Sequence, residues 1–177
     1  PAADGTISIM ALNAEVEIAS AQGLRRQALN TLFLGPGKSA LDPHGEIISG
    51  FYLPLRNANQ ASAFSRIMRP QGVALPVINM AAWLERDGDR IQDIRIAVGP
   101  SGPIPQRILA AEDALRGKVY GEESLNDGLK AMLDSVKFRT SPQRATAEYR
   151  RKLAGVLLRE VVQKAWQRAG KPASHTF

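Results

Sequence analysis

The sequence predicts an α+β fold, and three observations carry that prediction. Over residues 61–99, three runs rich in apolar and β-branched residues (ASAFSRIM, VALPVINMAAWLE, RIQDIRIAVG) are separated by turn signals at 70–72 and at Asp87-Gly88. Beyond residue 99 the apolar residues recur at helical spacing in three successive stretches, whereas before residue 60 the pattern is mixed. An Asp-Gly pair between two such runs is a strong hairpin signal, because both residues tolerate the positive φ of a tight primed turn.

In the last run Ile94, Ile96 and Val98 alternate with Asp93, Arg95 and Ala97, so one face is apolar and the other mixed. The middle run is apolar on both faces. Val77, Ala81 and Trp83 lie on one, and Ile78, Met80, Ala82 and Leu84 on the other. A strand covered on both sides belongs in the centre of a sheet. The expectation is a three-stranded antiparallel meander at which the chain changes domain, dividing 1–59 from 60–177.

Taken in order, residues 2–12 fit either a short helix or an apolar strand, since so short a stretch gives periodicity nothing to decide on. Glu15–Ser20 (EVEIAS) alternates as a strand, Gln22-Gly23 turns, and residues 25–29 return as its hairpin partner. Asn30 is expected to cap a short turn with Leu32, Phe33 and Leu34 packing inward. LGPGKSAL then reads as a loop held open by Gly35, Pro36 and Gly37. Residues 46–53 (EIISGFYL) form another strand, ended by Pro54, and 55–60 are a polar linker into the meander.

After the meander, residues 99–106 (GPSGPIPQ) form a corner. A first helix carries Ile104, Ile108, Ala111 and Leu115 at i, i+4, i+7 and i+11, with Gly117 placed to end it. A second aligns Leu125, Leu129, Met132, Leu133 and Val136, with Glu122 and Glu123 favourable at the N-terminal dipole. The third is expected to open at Ser141 as N-cap with Pro142 at its first position. It runs through Tyr149, Leu153, Val156, Leu157 and Val161 toward Trp166 and stops at Gly170-Lys171-Pro172. Three such helices on one face of a small antiparallel sheet make a satisfactory α+β unit.

Composition bounds the function. No run approaches the roughly 18 apolar residues of a membrane span. The opening PAADGTISIM shows neither a basic leader nor an initiator methionine and reads as the middle of a longer or processed chain. Zero cysteines exclude disulfides, thiolate metal sites and iron–sulfur ligation within this chain, which fits a cytoplasmic location. His44 and His175 are too far apart in sequence to argue for a metal site. The net charge of +6 invites a nucleic-acid reading. The basic residues are scattered, however, and the densest cluster (Arg144, Arg150, Arg151, Lys152, Arg159) is mixed with Glu148 and Glu160. No nucleic-acid partner is expected.

Gly35-Pro36-Gly37-Lys38-Ser39 resembles the end of a phosphate-binding loop, but Leu32 stands where that motif needs glycine, and Pro43 argues against the helix that should follow. Its two glycines still permit close backbone approach to a ligand. Asp4 alone reads as a cap or a solvated residue, Glu148, Arg150 and Arg151 as an ion-paired helix face, and Phe51, Phe64 and Trp83 as core.

Eight segments in order (PAAD, LNAEVEIAS, LFLGPGKSAL, GEIISGFYLP, AFSRIMRPQG, DRIQDIRIAVG, ILAAEDALRGK and RATAEYRRKLAGVLLREVV) resemble the FAD-binding subunit of molybdenum hydroxylases. That family includes xanthine dehydrogenase and carbon monoxide dehydrogenase. The resemblance implies the second lobe of a FAD-binding domain, incomplete, over 1–59. Over 60–177 it implies a C-terminal domain of three strands and a three-helix bundle. The N-terminal lobe and its Gly-rich segments that cradle the FAD pyrophosphate are missing. In the complete subunit FAD would receive electrons from 2Fe-2S clusters in a small partner subunit, while a molybdopterin-binding large subunit oxidises the substrate.

The resemblance also assigns cofactor contacts. Asp4 matches the acid of the family's SP-x-x-D segment, near the flavin. Ile48 matches an apolar residue whose strand lies against the isoalloxazine, and Ser65 stands where lysine is frequent, removing a charge that favours the reduced flavin. The alternative is a non-catalytic docking module that holds partner subunits together without binding flavin, motivated by the arginines of the third helix.

Overall fold

The computed structural model describes residues 4–68 and 74–170. The turn expected at 70–72, the Lys171-Pro172 stop and His175 lie outside the described residues. The opening stretch is helical: α1 spans Asp4–Ala11. Its end is specified locally, because Asn13 adopts φ 56°, the left-handed conformation that asparagine tolerates after a helix. The Asn13 amide then donates to Met10 and the Ala14 amide to Ile9, satisfying carbonyls of the last turn.

The first sheet has the order β2-β1-β5, with β1 (Glu15–Ser20) between β2 (Gly23–Ala28) and β5 (Glu46–Tyr52), all antiparallel. Val16 and Ile18 of β1 turn inward and are fully buried. Between β2 and β5 the chain makes a 3-10 turn, Leu29–Leu32, and a two-stranded hairpin of β3 (Phe33–Gly35) and β4 (Lys38–Ser39). Three sequence expectations need correction in this segment. Asn30 lies inside the 3-10 turn and caps nothing, the cap position being Ala28. Leu34 is 66% exposed, because the short β3 strand turns alternate residues outward. GPGKS is a closed hairpin, with Gly37 at φ 70° making the tight turn.

The second sheet contains the expected meander, β6 (Gln60–Met68), β7 (Pro76–Asp87) and β8 (Arg90–Gly99), with β7 in the middle. Gly88 at φ 56° closes the Asp87-Gly88 turn. A fourth strand, β9 (Gln106–Arg107), pairs with Ala97 and Val98 inside what reads as an irregular corner in sequence. Ile78, Met80, Ala82 and Leu84 of β7 and Ile94, Ile96 and Val98 of β8 face three helices and form the main core. Each of these Ile, Leu, Val and Met side chains contributes roughly 1.5–3 kcal/mol by leaving water. The helices are α2 (Leu109–Leu115), α3 (Glu122–Ser135) and α4 (Ala147–Arg168). Thus Ile104 precedes the first of them, and α4 starts at Thr146, whose side chain accepts from the Tyr149 amide at 3.2 Å. Ser141 instead closes a small loop by bridging to Ala145, so it does not cap α4.

The opposite face of this sheet supports a second core, in which Ala81, Ala97 and Phe64 meet Ile7, Met10 and Ala11 of α1 and Val16 and Ile18 of β1. Helix α1 is therefore sandwiched between the two sheets. Arg66, Asn79 and Gly99 stand side by side on β6, β7 and β8. Asp4 takes hydrogen bonds from Arg66 and Asn79, and Ile7 seats on Gly99. Three helical residues advance about 4.5 Å, close to one strand spacing, so α1 lies across the strands. Gly99 leaves the room: an added Cβ would stand 2.9 Å from the Ile7 Cδ1.

Of the arginines expected on an exposed face of the third helix, Arg150 is buried and Arg151 is exposed. Arg150 is completely buried and donates to the Pro100 and Arg139 carbonyls, and Arg151 donates to the Leu133 carbonyl. Arg159 pairs with Glu122 on α3 at 2.8 Å. These side chains tie helices and loops of their own chain. Glu148 pairs with Lys152 at 2.9 Å, an exposed i,i+4 contact of small worth. No helix among the described residues is long and apolar enough to cross a membrane.

Candidate functional site

A cleft of about 280 Å³ opens between α1, the β3–β4 hairpin and β5. Its walls are aliphatic and aromatic: Ile9 from α1, Leu29 and Leu32 from the 3-10 turn, Phe33 from β3, Leu41, and Ile48 and Phe51 from β5. Polar groups sit at the hairpin side, where Lys38 and Ser39 join Thr6. Leu29 and Leu32 are buried at the floor, whereas Phe51 is 51% exposed. A concave apolar site with a few convergent polar groups suits a flat, largely apolar ring. Its volume is just below the roughly 300–1,000 Å³ common for whole drug-sized ligands.

The structure places the expected contact residues in three different settings. Ile48 lines the cleft. Asp4 begins the helix that forms one wall, but its carboxylate is turned toward the second sheet. There it holds Arg66 and Asn79 and anchors α1. Asn79 is fully buried, and its Oδ1 has no partner among the described residues, so this corner retains one unsatisfied acceptor. Ser65 belongs to the other side of β6, on the face of Ala61 and Ala63. Its Oγ donates to Glu160 of α4 at 2.9 Å. The Glu160 carboxyl is held below the usual glutamate range chiefly by Lys164, with a smaller contribution from the Ser65 hydroxyl against a cost of partial burial. The fold thus brings Ile48 to the cleft and leaves Ser65 in the helix–sheet contact.

The sequence reading took Phe51 as core and left GPGKS as a loop with an open role. Both border the cleft. Phe64 does pack against the second core. Thr6, Ile9, Phe33 and Leu41 carry no recognisable motif, and only their convergence marks them. Ile48 and Phe51 stand three apart on β5, where a strict period of 2 would put them on opposite faces; the register shift at Glu17/Ile18 brings both to the cleft, and local sequence does not show it.

The outer face of the first sheet carries a separate polar cluster. The Tyr52 hydroxyl donates to Glu17 at 2.7 Å, Ser49 donates to it at 2.9 Å, and the Arg26 guanidinium lies 3.3 Å from the Tyr52 ring centroid. These hydrogen bonds, Tyr52 first, and the Arg26 charge hold Glu17 below its ordinary pKa. Beside the cluster, Leu24, Ala19 and Ile47 form one cross-strand row, with Leu24 68% and Ile47 69% exposed.

The fit to an FAD ring is positive for its apolar portion. Ile48 and Phe51 offer faces, the hairpin backbone and Ser39 offer polar contacts, and Lys38 offers a cation. Comparison with known proteins shows the family and the fold. Residues 62–165 match the family described as CO dehydrogenase flavoprotein C-terminal domain. Residues 1–56 match the FAD binding domain in molybdopterin dehydrogenase. The nicotine 6-hydroxylase medium subunit of Paenarthrobacter nicotinovorans is 33% identical over 168 residues, which cover 94% of this chain and 57% of that protein. The putative xanthine dehydrogenase FAD-binding subunit of Escherichia coli K12 is 28% identical over 169 residues, covering 95% and 57%. In fold, the chain superposes on carbon monoxide dehydrogenase from Hydrogenophaga pseudoflava with a TM-score of 0.87 at 23% identity, over 96% of this chain and 58% of that one. The chain therefore spans somewhat over half the length of these relatives.

Proposed function

The chain belongs to the family of FAD-binding medium subunits of the xanthine and carbon monoxide dehydrogenases, and from that premise we propose that it forms the rear part of a flavin cradle in a molybdenum hydroxylase complex. The observation that carries this reading is the apolar cleft of about 280 Å³ between α1, the hairpin and β5. Residues 1–59 are the second FAD lobe, completed by an N-terminal lobe outside this chain, and residues 60–177 are the C-terminal domain.

FAD, when bound, supplies the electron chemistry, accepting electrons from 2Fe-2S clusters of a small subunit and delivering them to an acceptor. The residues of this chain bind and orient. Ile48 and Phe51, which line the cleft, would pack on the ring and keep water from one face. Asp4, through Arg66 and Asn79, fixes the helix that supplies Thr6 and Ile9 to the wall. Ser65 contributes from β6 by setting the seat of α4 through Glu160. The substrate is selected in the molybdopterin-binding large subunit, and the assembly is cytoplasmic.

The test is flavin uptake by the complete subunit, read as a bound-flavin absorbance spectrum and quenched flavin fluorescence. Phe51→Ala is expected to weaken FAD binding about tenfold. Val156→Ala, at a site on α4 that is 59% exposed, should leave it unchanged. Absence of flavin from the complete subunit, or equal affinity in all three proteins, defeats the reading.

A second reading, a docking module that binds no flavin, draws on the outward Leu24–Ala19–Ile47 row. Titration against the iron–sulfur and molybdopterin subunits separates the two, since partner binding without flavin uptake selects docking.

A further inference from the structure

We propose that Lys38 sets the redox balance of the cleft, holding the reduced flavin more tightly than the oxidised one. This rests on the FAD reading above. Lys38 is the one charged side chain among those lining the cleft, and the walls around it are apolar. None of the ion pairs among the described residues involves Lys38. Its charge is thus available to whatever the cleft holds.

The hairpin fixes the backbone from which Lys38 borders the cleft. Gly35 pairs with Lys38 and Phe33 with Ser39, so β4 is registered on β3. Gly37 makes the turn at φ 70°, a conformation that L side chains rarely adopt. The Lys38 stem runs alongside Gly35: a Cβ added there would sit 3.8 Å from the Lys38 Cδ. A side chain whose stem lies along a two-stranded hairpin has less freedom than one on an open loop.

The electrostatic consequence follows from charge alone. Taking up two electrons and one proton changes the flavin from neutral to singly negative. A cation at the edge of an apolar slot stabilises the negative form over the neutral form, and more strongly once the ring has displaced water from the slot. Position 65 carries a neutral serine committed to Glu160, so no lysine acts from that site.

The experiment is a redox titration of the complete subunit loaded with FAD, reduced stepwise with dithionite against a reference dye and followed by flavin absorbance. Lys38→Met is expected to cut the ratio of reduced to oxidised affinity about tenfold, which lowers the two-electron midpoint by about 30 mV. Lys38→Arg should retain the wild-type midpoint. Because residue 38 is exposed, both variants should fold, which circular dichroism checks directly. A flavin-loaded Lys38→Met protein with the wild-type midpoint overturns this inference and leaves the FAD reading standing. A wild-type subunit that takes up no FAD overturns both.

Discussion

The guanidinium of Arg150 donates to the main-chain carbonyl of Pro100 at 2.9 Å, joining residues 50 positions apart. The same Nη1 also reaches the Arg139 carbonyl at 3.2 Å, so one side chain on α4 clamps the ends of two loops. Burial, together with the Arg139 and Arg144 charges, pushes the Arg150 pKa down, yet an arginine stays charged throughout the neutral range. Its Nε and Nη2 have no acceptor among the described residues.

Arg150→Ala should therefore cost about 3 kcal/mol, combining a cavity with two carbonyls left without their charged donor. Arg150→Met should cost less, about 1 kcal/mol, because it fills the space and removes a buried charge. Urea unfolding midpoints measure both. An alanine variant as stable as wild type would show that the clamp contributes nothing.

Glu112 ties three elements at once. Its buried carboxylate accepts from the Ile96 amide at 2.8 Å and from Arg107 Nε at 2.9 Å, linking α2 to β8 and β9. Glu112→Ala leaves an amide and a guanidinium unpaired and should cost roughly 3 kcal/mol; Glu112→Gln keeps one acceptor and should cost about half that. The more specific readout is hydrogen exchange of the Ile96 amide, which should accelerate in the alanine variant more than its neighbours do.

Gly128 in α3 is set by packing against α2. A Cβ there would meet the Leu115 Cγ and Cδ1 at 2.8 Å. Helix propensity favours alanine by roughly 1 kcal/mol, but the clash is expected to outweigh it, so Gly128→Ala should be destabilising by about 1–2 kcal/mol. Leu115→Ala alone should cost about 3 kcal/mol. In the double variant the costs should fall short of additivity by at least 1 kcal/mol, and a strictly additive cycle would refute the steric account.

Acid should weaken the first sheet in a predictable direction. Glu17 is held below its ordinary pKa chiefly by the Tyr52 hydroxyl, and Glu46 chiefly by Arg25. A carboxylate depressed in the folded state adds stability that is present above the unfolded value of about 4.3 and disappears as pH falls through the folded value. The urea midpoint should therefore decline below about pH 4.3. The Glu17→Gln, Glu46→Gln protein should show a shallower decline over that interval; identical acid limbs would exclude these two groups.

The two strands either side of Asp87-Gly88, the central place of β7 and the stripe of α3 were all legible because each is written within about 20 consecutive residues. So was family membership, carried by eight segments in order. Local sequence determined which stretches are strands and helices wherever a period of 2 or 3.6 ran long enough. The tertiary structure decided the rest. It made the opening segment a helix lying across Arg66, Asn79 and Gly99, buried Arg150 against Pro100, turned Ser65 toward Glu160, and gathered Ile9, Lys38 and Phe51 around one cleft. The physical reason is that each of these depends on contacts between residues distant in the chain, where close packing and satisfaction of buried polar groups, and not local periodicity, select the partner.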